Sequence, residues 1–181
     1  MYKDEAEDGQ PEAPFASVLI ANRGEIAVRI IRACREMGMA AIAVYSDADA
    51  AAAHVRLADR AVRIGPSAPS ESYLRVDAIV EAALSTGAEA VHPGYGFLAE
   101  RAELARAVEG AGLVFVGPSA DSIDALGDKL HARRLAEGAG VTVVPGTLEP
   151  AAIQPDQLGA IVAEAERVGY PLLVKAAAGG G

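Results

Sequence analysis

From residue 17 onward, short continuous apolar runs alternate with segments of helical period, and that alternation leaves few folds open. Ser17–Asn22 (SVLIAN), Ala40–Tyr45 (AAIAVY), Ala61–Ile64, Glu89–His92 and Leu113–Val116 are apolar along their length rather than at every second residue. Strands covered on both faces read this way. Between them, Glu25–Met37, Ala50–Leu57, Val76–Thr86 and Leu98–Gly110 carry the helical period. A β–α–β–α order with right-handed crossovers predicts an α/β fold built on a doubly wound parallel sheet. In the first helix Ile26, Ile30, Ala33 and Met37 fall on one face. Asn22 followed three residues later by Glu25 matches the capping pattern that opens a helix, and Gly38 and Gly87 stand where helices stop.

After Pro118 the rhythm changes. Ser119–Leu126, Asp128–Ala136 and Asp156–Val168 read as helices and Leu172–Lys175 as a strand, with a Gly/Pro-bearing segment, GAGVTVVPGTLEP, between. A domain boundary is therefore expected near residue 117, leaving 17–117 as one domain and 118–181 as helices leading into a second. Residues 1–16 are expected to be a disordered acidic tail, because Lys3 is outnumbered there by Asp4, Glu5, Glu7, Asp8 and Glu12 and no periodicity is present.

With aromatics at 4% and no tryptophan, the core has to be aliphatic and rich in alanine. Sixteen Lys+Arg against 25 Asp+Glu leave a net charge of −9, which argues against a nucleic-acid groove or an anionic membrane surface as partner. Cys34 is the single cysteine, so it forms no internal disulfide and offers no zinc-type spacing. No apolar run approaches the roughly 18 residues of a transmembrane helix, and the acidic start is neither a secretory signal nor an Arg-rich transit peptide. The expected address is the cytoplasm.

Ligands of open parallel sheets bind beyond the carboxyl ends of the strands. Four turns lie there: Asn22–Glu25, Ser46–Asp49, His92–Phe97 and Gly117–Ser119. The first, ANRGEIA, has Gly24 alone where a dinucleotide fold needs G-x-G-x-x-G, and no P-loop pattern occurs. Lys175 follows the apolar run Leu172-Leu173-Val174 and precedes Gly179, Gly180 and Gly181. A lysine fixed by a strand beside a glycine run can clamp nucleotide phosphates; equally, it can be a surface lysine beside a linker. Lys129 opens a helix, where an anionic ligand would relieve its opposition to the helix dipole, although Asp128 alone could do so. His92 has no carboxylate in local reach and reads as a residue shaping its turn rather than an acid–base catalyst. Tyr95 and Phe97 are expected to pack that loop. Cys34 sits mid-helix with nothing to suggest a reactive thiolate, although three nearby arginines leave a lowered thiol pKa open. Arg32 and Glu36, four apart, suggest a solvated ion pair.

Taken in order, ANRGEIAVRIIRACREMG, YSDADAAAAHVRLADRAVRIG, SYL, HPGYGFLAE, FVGPS, LGDK, VPG and GYPLLVKAAAGGG resemble the amino-terminal part of biotin carboxylase, the subunit or domain found in biotin-dependent acyl-CoA and pyruvate carboxylases. The resemblance covers residues 17 to 181. It implies a Rossmann-like pre-ATP-grasp domain over 17–117, followed by the truncated start of an ATP-grasp domain. It implies an ATP-dependent ligase that joins bicarbonate to ATP as carboxyphosphate and carboxylates biotin on a carrier protein, with Mg²⁺ or Mn²⁺ at the phosphates. Lys129, Lys175, Gly179, Gly180 and Gly181 would be ATP contacts, and Arg32 and Glu36 would lie at a homodimer contact. The implied partners are a biotin carboxyl carrier protein or domain and a carboxyltransferase subunit. Ala99 and Arg101 depart from the family's usual serine and asparagine. The family's catalytic residues and metal ligands lie beyond residue 181, so this span is expected to be inactive alone and to bind ATP weakly. A non-catalytic dimerisation or partner module derived from the same family is the alternative.

Overall fold

The computed structural model describes residues 13–127, 129–147 and 158–174, with Lys129 described by its backbone only. The chain divides into two compact units, 1–120 and 121–181.

The first unit is the doubly wound sheet. Five parallel strands, β1 (Ser17–Ile20), β2 (Ala40–Ser46), β3 (Arg60–Gly65), β4 (Ala90–His92) and β5 (Val114–Phe115), lie in the order β3-β2-β1-β4-β5. Register runs Val18 to Ala41 on one side of β1 and Val18 to Ala90 on the other. Helices α1 (Gly24–Glu36) and α2 (Ala53–Leu57) pack together, as do α3 (Val76–Thr86) and α4 (Ala102–Gly110). Chain direction across the sheet reverses after β3, so the gap between β1 and β4 is the topological switch point. The core is aliphatic and alanine-rich as expected, with Leu19, Ile20, Ala27, Ile31, Ala43, Val44, Ile79, Ala83, Val91, Leu104 and Val108 buried.

Several local expectations are corrected. The buried stripe of α1 is Ala27–Ile31–Cys34; Ala33 and Met37 are exposed. Both stripes are apolar and adjacent: Ile26 and Ile30 of the expected one are half-buried, and Ile30 packs on the core. Asn22 does not cap α1: Arg23 is the N-cap and makes no side-chain capping bond. The turn expected after β2 is a 3₁₀ turn, Asp47–Asp49, and the helix expected over Ala50–Leu57 is the shorter α2, which begins at Ala53. Residues 13–16 are not a tail, because Ala13 and Phe15 pack on the core and the Ala16 N–H donates to Glu89 Oε2 at 2.8 Å. Helix ends follow the glycines: Gly38 at φ 75° and Gly87 at φ 69° take the left-handed conformation after α1 and α3.

In the second unit, α5 (Ala120–Gly127), α6 (Lys129–Gly138) and α7 (Leu158–Val168) are the described helices. Gly146 lies against Arg133, where a Cβ would come within 2.5 Å of Nη1, and Arg167 Nη2 donates to the Gly146 carbonyl at 3.3 Å. Leu172–Val174 are not a strand; Leu173 and Val174 are exposed and unladdered. An apolar run becomes a strand only beside a neighbour that takes its backbone hydrogen bonds. No described helix is long and apolar enough to cross a membrane.

Candidate functional site

Three of the four carboxyl-end turns converge, and what they build is a closed switch point. Asn22 leaves β1 fully buried and points across the gap toward the loop after β4. Its Nδ2 donates to the carbonyls of Pro93 at 2.8 Å and Tyr95 at 3.0 Å, while Oδ1 accepts the Arg23 N–H at 2.9 Å. The whole amide is used, and carbonyls that a ligand could have satisfied are satisfied by a side chain. Gly94 makes this possible. Its φ is 67°, and a Cβ there would lie 2.7 Å from Ile26 Cγ2 and 2.8 Å from Asn22 Nδ2. Only glycine lets the loop descend onto Asn22 in that conformation.

His92 belongs to the same closure. Its Nδ1 accepts the Gly94 N–H at 3.0 Å, which requires that nitrogen to be unprotonated, and burial pushes its pKa down. The turn-shaping reading holds. Phe97, at φ 45°, stacks on Tyr73 with ring centroids 5.2 Å apart. Tyr95 departs from expectation: it does not pack the loop but stands 62% exposed, its hydroxyl donating to Glu25 Oε1 at 2.8 Å.

A second cluster, which the sequence pattern did not reveal, braces these turns. Arg23 grips Asp49 in a fork, Nε to Oδ2 at 2.7 Å and Nη2 to Oδ1 at 2.5 Å. The Tyr73 hydroxyl donates to Asp49 Oδ2 at 2.7 Å and accepts the Ser46 N–H at 3.1 Å. Asp49 is nearly buried, with 10% of its side chain exposed, against 47% for Arg23. The guanidinium hydrogen bonds hold the carboxyl down at about 2 against the opposing effect of burial, with the Tyr73 bond adding to the depression. Burial, and then the bond to Asp49, push the Tyr73 phenol up. His54, also fully buried, faces this network; its Nε2 lies 3.3 Å from the Val44 carbonyl, its Nδ1 is without a partner, and burial lowers its pKa. One sequence signal was available for the network: Arg and Asp at the ends of adjacent parallel strands.

None of the remaining sequence candidates is described at this site. Lys129 heads α6, its side chain undescribed, and Lys175 and Gly179–Gly181 lie outside the described residues. Arg32 and Glu36 are both exposed on α1 without an ion pair between them, so the expected surface bridge does not form. Cys34 is buried, and that burial raises its thiol pKa, which removes the lowered-pKa reading. Among the described residues no three His, Cys, Asp or Glu gather to hold a metal.

A parallel doubly wound sheet whose switch point is bridged by its own asparagine defines a Rossmann-like domain. The chain belongs to the biotin carboxylase N-terminal domain family, whose model matches residues 14–123. Residues 128–181 match the ATP-binding domain of the carbamoyl-phosphate synthase L chain. Biotin carboxylase 1 of Bacillus subtilis is 52% identical over 164 residues, 91% of this chain and 36% of that protein. The propionyl-CoA carboxylase alpha chain of Ruegeria pomeroyi is 46% identical over 167 residues, 92% of this chain and 24% of its own length. Among solved structures, the biotin carboxylase domain dimer of Hydrogenobacter thermophilus 2-oxoglutarate carboxylase, in complex with MgADP and bicarbonate, superposes with a TM-score of 0.81 at 45% identity over 92% of this chain and 36% of that one. The chain thus spans between about a quarter and somewhat over a third of the length of these relatives.

Proposed function

We propose that this chain is the amino-terminal portion of a biotin carboxylase, an ATP-dependent ligase that activates bicarbonate as carboxyphosphate and carboxylates biotin on a carrier protein. The observation that carries the reading is the sequence of two family matches, a biotin carboxylase N-terminal domain over 14–123 and an ATP-binding domain over 128–181. The relative solved with MgADP and bicarbonate supports ATP, Mg²⁺ and bicarbonate as the ligands. On this reading 17–117 is a scaffold domain and 118–181 begins the ATP-grasp domain, and the two compact units favour that boundary. The sealed switch point removes the usual nucleotide crevice of such a sheet, so the nucleotide belongs to the second unit. There Lys129 and Lys175 would place cations at the phosphates and Gly179–Gly181 would wrap them with backbone N–H groups. Mg²⁺ would supply charge neutralisation at those oxygens. Arg32 and Glu36, exposed on α1 and not paired with each other, are free to meet a second copy across a homodimer contact. The carrier protein and a carboxyltransferase are the proposed partners and the cytoplasm the proposed setting.

The test is Lys175→Ala in the full-length polypeptide, assayed for biotin- and bicarbonate-dependent ATP hydrolysis. The KM for ATP should rise about tenfold or more and kcat should fall, as expected when a charge-assisted phosphate contact is lost. Unchanged constants would remove Lys175 from the site, and the absence of biotin-dependent hydrolysis in the parent protein would remove the function.

A further inference from the structure

The face of the first unit that carries α3 and α4 has an apolar groove that neither the sheet nor the proposed reaction uses. Val76, Val80 and Leu84 stand at i, i+4 and i+8 along α3 and line it with Ala107 of α4. Leu74 closes one end. Leu74 and Leu84 are 42% and 55% exposed, so aliphatic surface is presented to water in a row rather than singly. The groove encloses about 1070 Å³ but lies open. A small-molecule site covers most of its ligand's surface; this one would not.

The rim is acidic. Asp77 is engaged by Arg75, but Glu81 and Glu103, one on each helix, have no ion pair among the described residues. That charge decides between occupants. A second copy docked on the same face would bring the Glu81 and Glu103 of both copies into one interface, with each Arg75 already engaged by its own Asp77, and that accumulation of like charge is costly. An occupant that brings cations is favoured on the same ground.

We infer that the α3–α4 groove is a docking site for a cationic amphipathic helix of a partner protein, with aliphatic side chains at i, i+4 and i+7 seated on Val80 and Leu84 and Lys or Arg side chains over Glu81 and Glu103. This is the helix-in-groove mode of recognition. It is independent of the proposed catalysis.

The probe is a designed peptide of about 16 residues of Leu, Lys and Ala with one apolar stripe, together with a twin carrying Glu for Lys. Both are titrated against the chain by fluorescence anisotropy at near-physiological salt. The cationic peptide should bind saturably and its acidic twin should not. Leu84→Asp separates docking from mere attraction to an acidic protein. It adds negative charge, so non-specific attraction would strengthen, whereas docking should weaken about tenfold or more through lost apolar contact. The double variant Glu81→Lys/Glu103→Lys should reverse the preference toward the acidic twin, and circular dichroism confirms that both variants are folded. Tighter or unchanged binding by Leu84→Asp, equal binding of the twins, or no binding at all would overturn the inference. So would binding by this chain that is lost in the full-length polypeptide, which would mean that the groove is covered in cis.

Discussion

Replacing Asp49 by asparagine tests whether the Arg23–Asp49–Tyr73 cluster braces the carboxyl edge of the sheet. The carboxylate accepts from Arg23 Nε at 2.7 Å, Arg23 Nη2 at 2.5 Å, the Tyr73 hydroxyl at 2.7 Å and the Ser46 hydroxyl at 3.3 Å. An amide offers one oxygen and turns an NH₂ group toward donors, so at least one of them loses its acceptor. Charge-assisted bonds of roughly 1.5–3 kcal/mol each set an upper figure of about 6 kcal/mol for the Arg23 pair. Arg23, however, is 47% exposed and recovers water when released, which leaves about 2–3 kcal/mol. In a chain of this size that corresponds to roughly 5–10 °C in Tm. The pH dependence carries the sign. Asp49 sits at about 2 in the folded chain against roughly 3.9 in an unfolded one. A depressed carboxyl contributes stability that is fully present above the unfolded value and is lost as pH falls through the folded one. The wild type should therefore exceed Asp49→Asn by a constant margin above about pH 5, and the margin should shrink between about pH 4 and 2. Urea melts followed by far-ultraviolet circular dichroism read both quantities. A margin under about 1 kcal/mol at neutral pH, or one that does not narrow on acidification, would refute the reasoning.

Two further outcomes are expected. Gly94→Ala should cost more than about 2 kcal/mol, because its Cβ meets Asn22 and Ile26 at φ 67°. Gly112→Ala, at φ 76° with nothing within 4 Å, should cost only about 1 kcal/mol; equal losses in thermal melts would show that the close approach to Asn22 does not matter. Burial depresses both His92 and His54, so the unfolded chain binds their protons first and stability should decline as pH falls below about 6.5. The decline should be smaller in His92→Gln, whose amide oxygen can accept the Gly94 N–H without titrating; the same slope in both proteins would count against His92 as its source.

The strands, their order of appearance and the helix-ending glycines were legible because each depends on a few neighbouring residues. The errors share another cause. Asn22-x-x-Glu25 reads locally as a cap, yet the partners that claim the amide are carbonyls 71 and 73 residues away. Arg23 and Asp49 are 26 residues apart and Asp49 and Tyr73 are 24 apart, so no window of helical or strand period contains the cluster. In α1 two adjacent stripes are apolar, so the helical period alone does not say which of them is buried against the sheet. Leu172–Val174 carries the composition of a strand without a neighbouring strand to pair with among the described residues.

Topology alone misleads here for a related reason. Strand crossover at a switch point leaves backbone carbonyls and amides of two diverging loops facing a gap, and buried polar groups must find partners. A phosphate lying along glycine-rich backbone is one solution; a side chain long enough to span the gap is another. Asn22 takes the second, donating twice to the loop after β4 and accepting once from its own turn. Gly94 is then required not for approach to a ligand but for approach to that asparagine. A glycine in such a loop therefore carries opposite functional meanings according to what stands at the end of the first strand. In this chain the residue there, and not the sheet, decides that the gap is bridged by the protein's own hydrogen bonds.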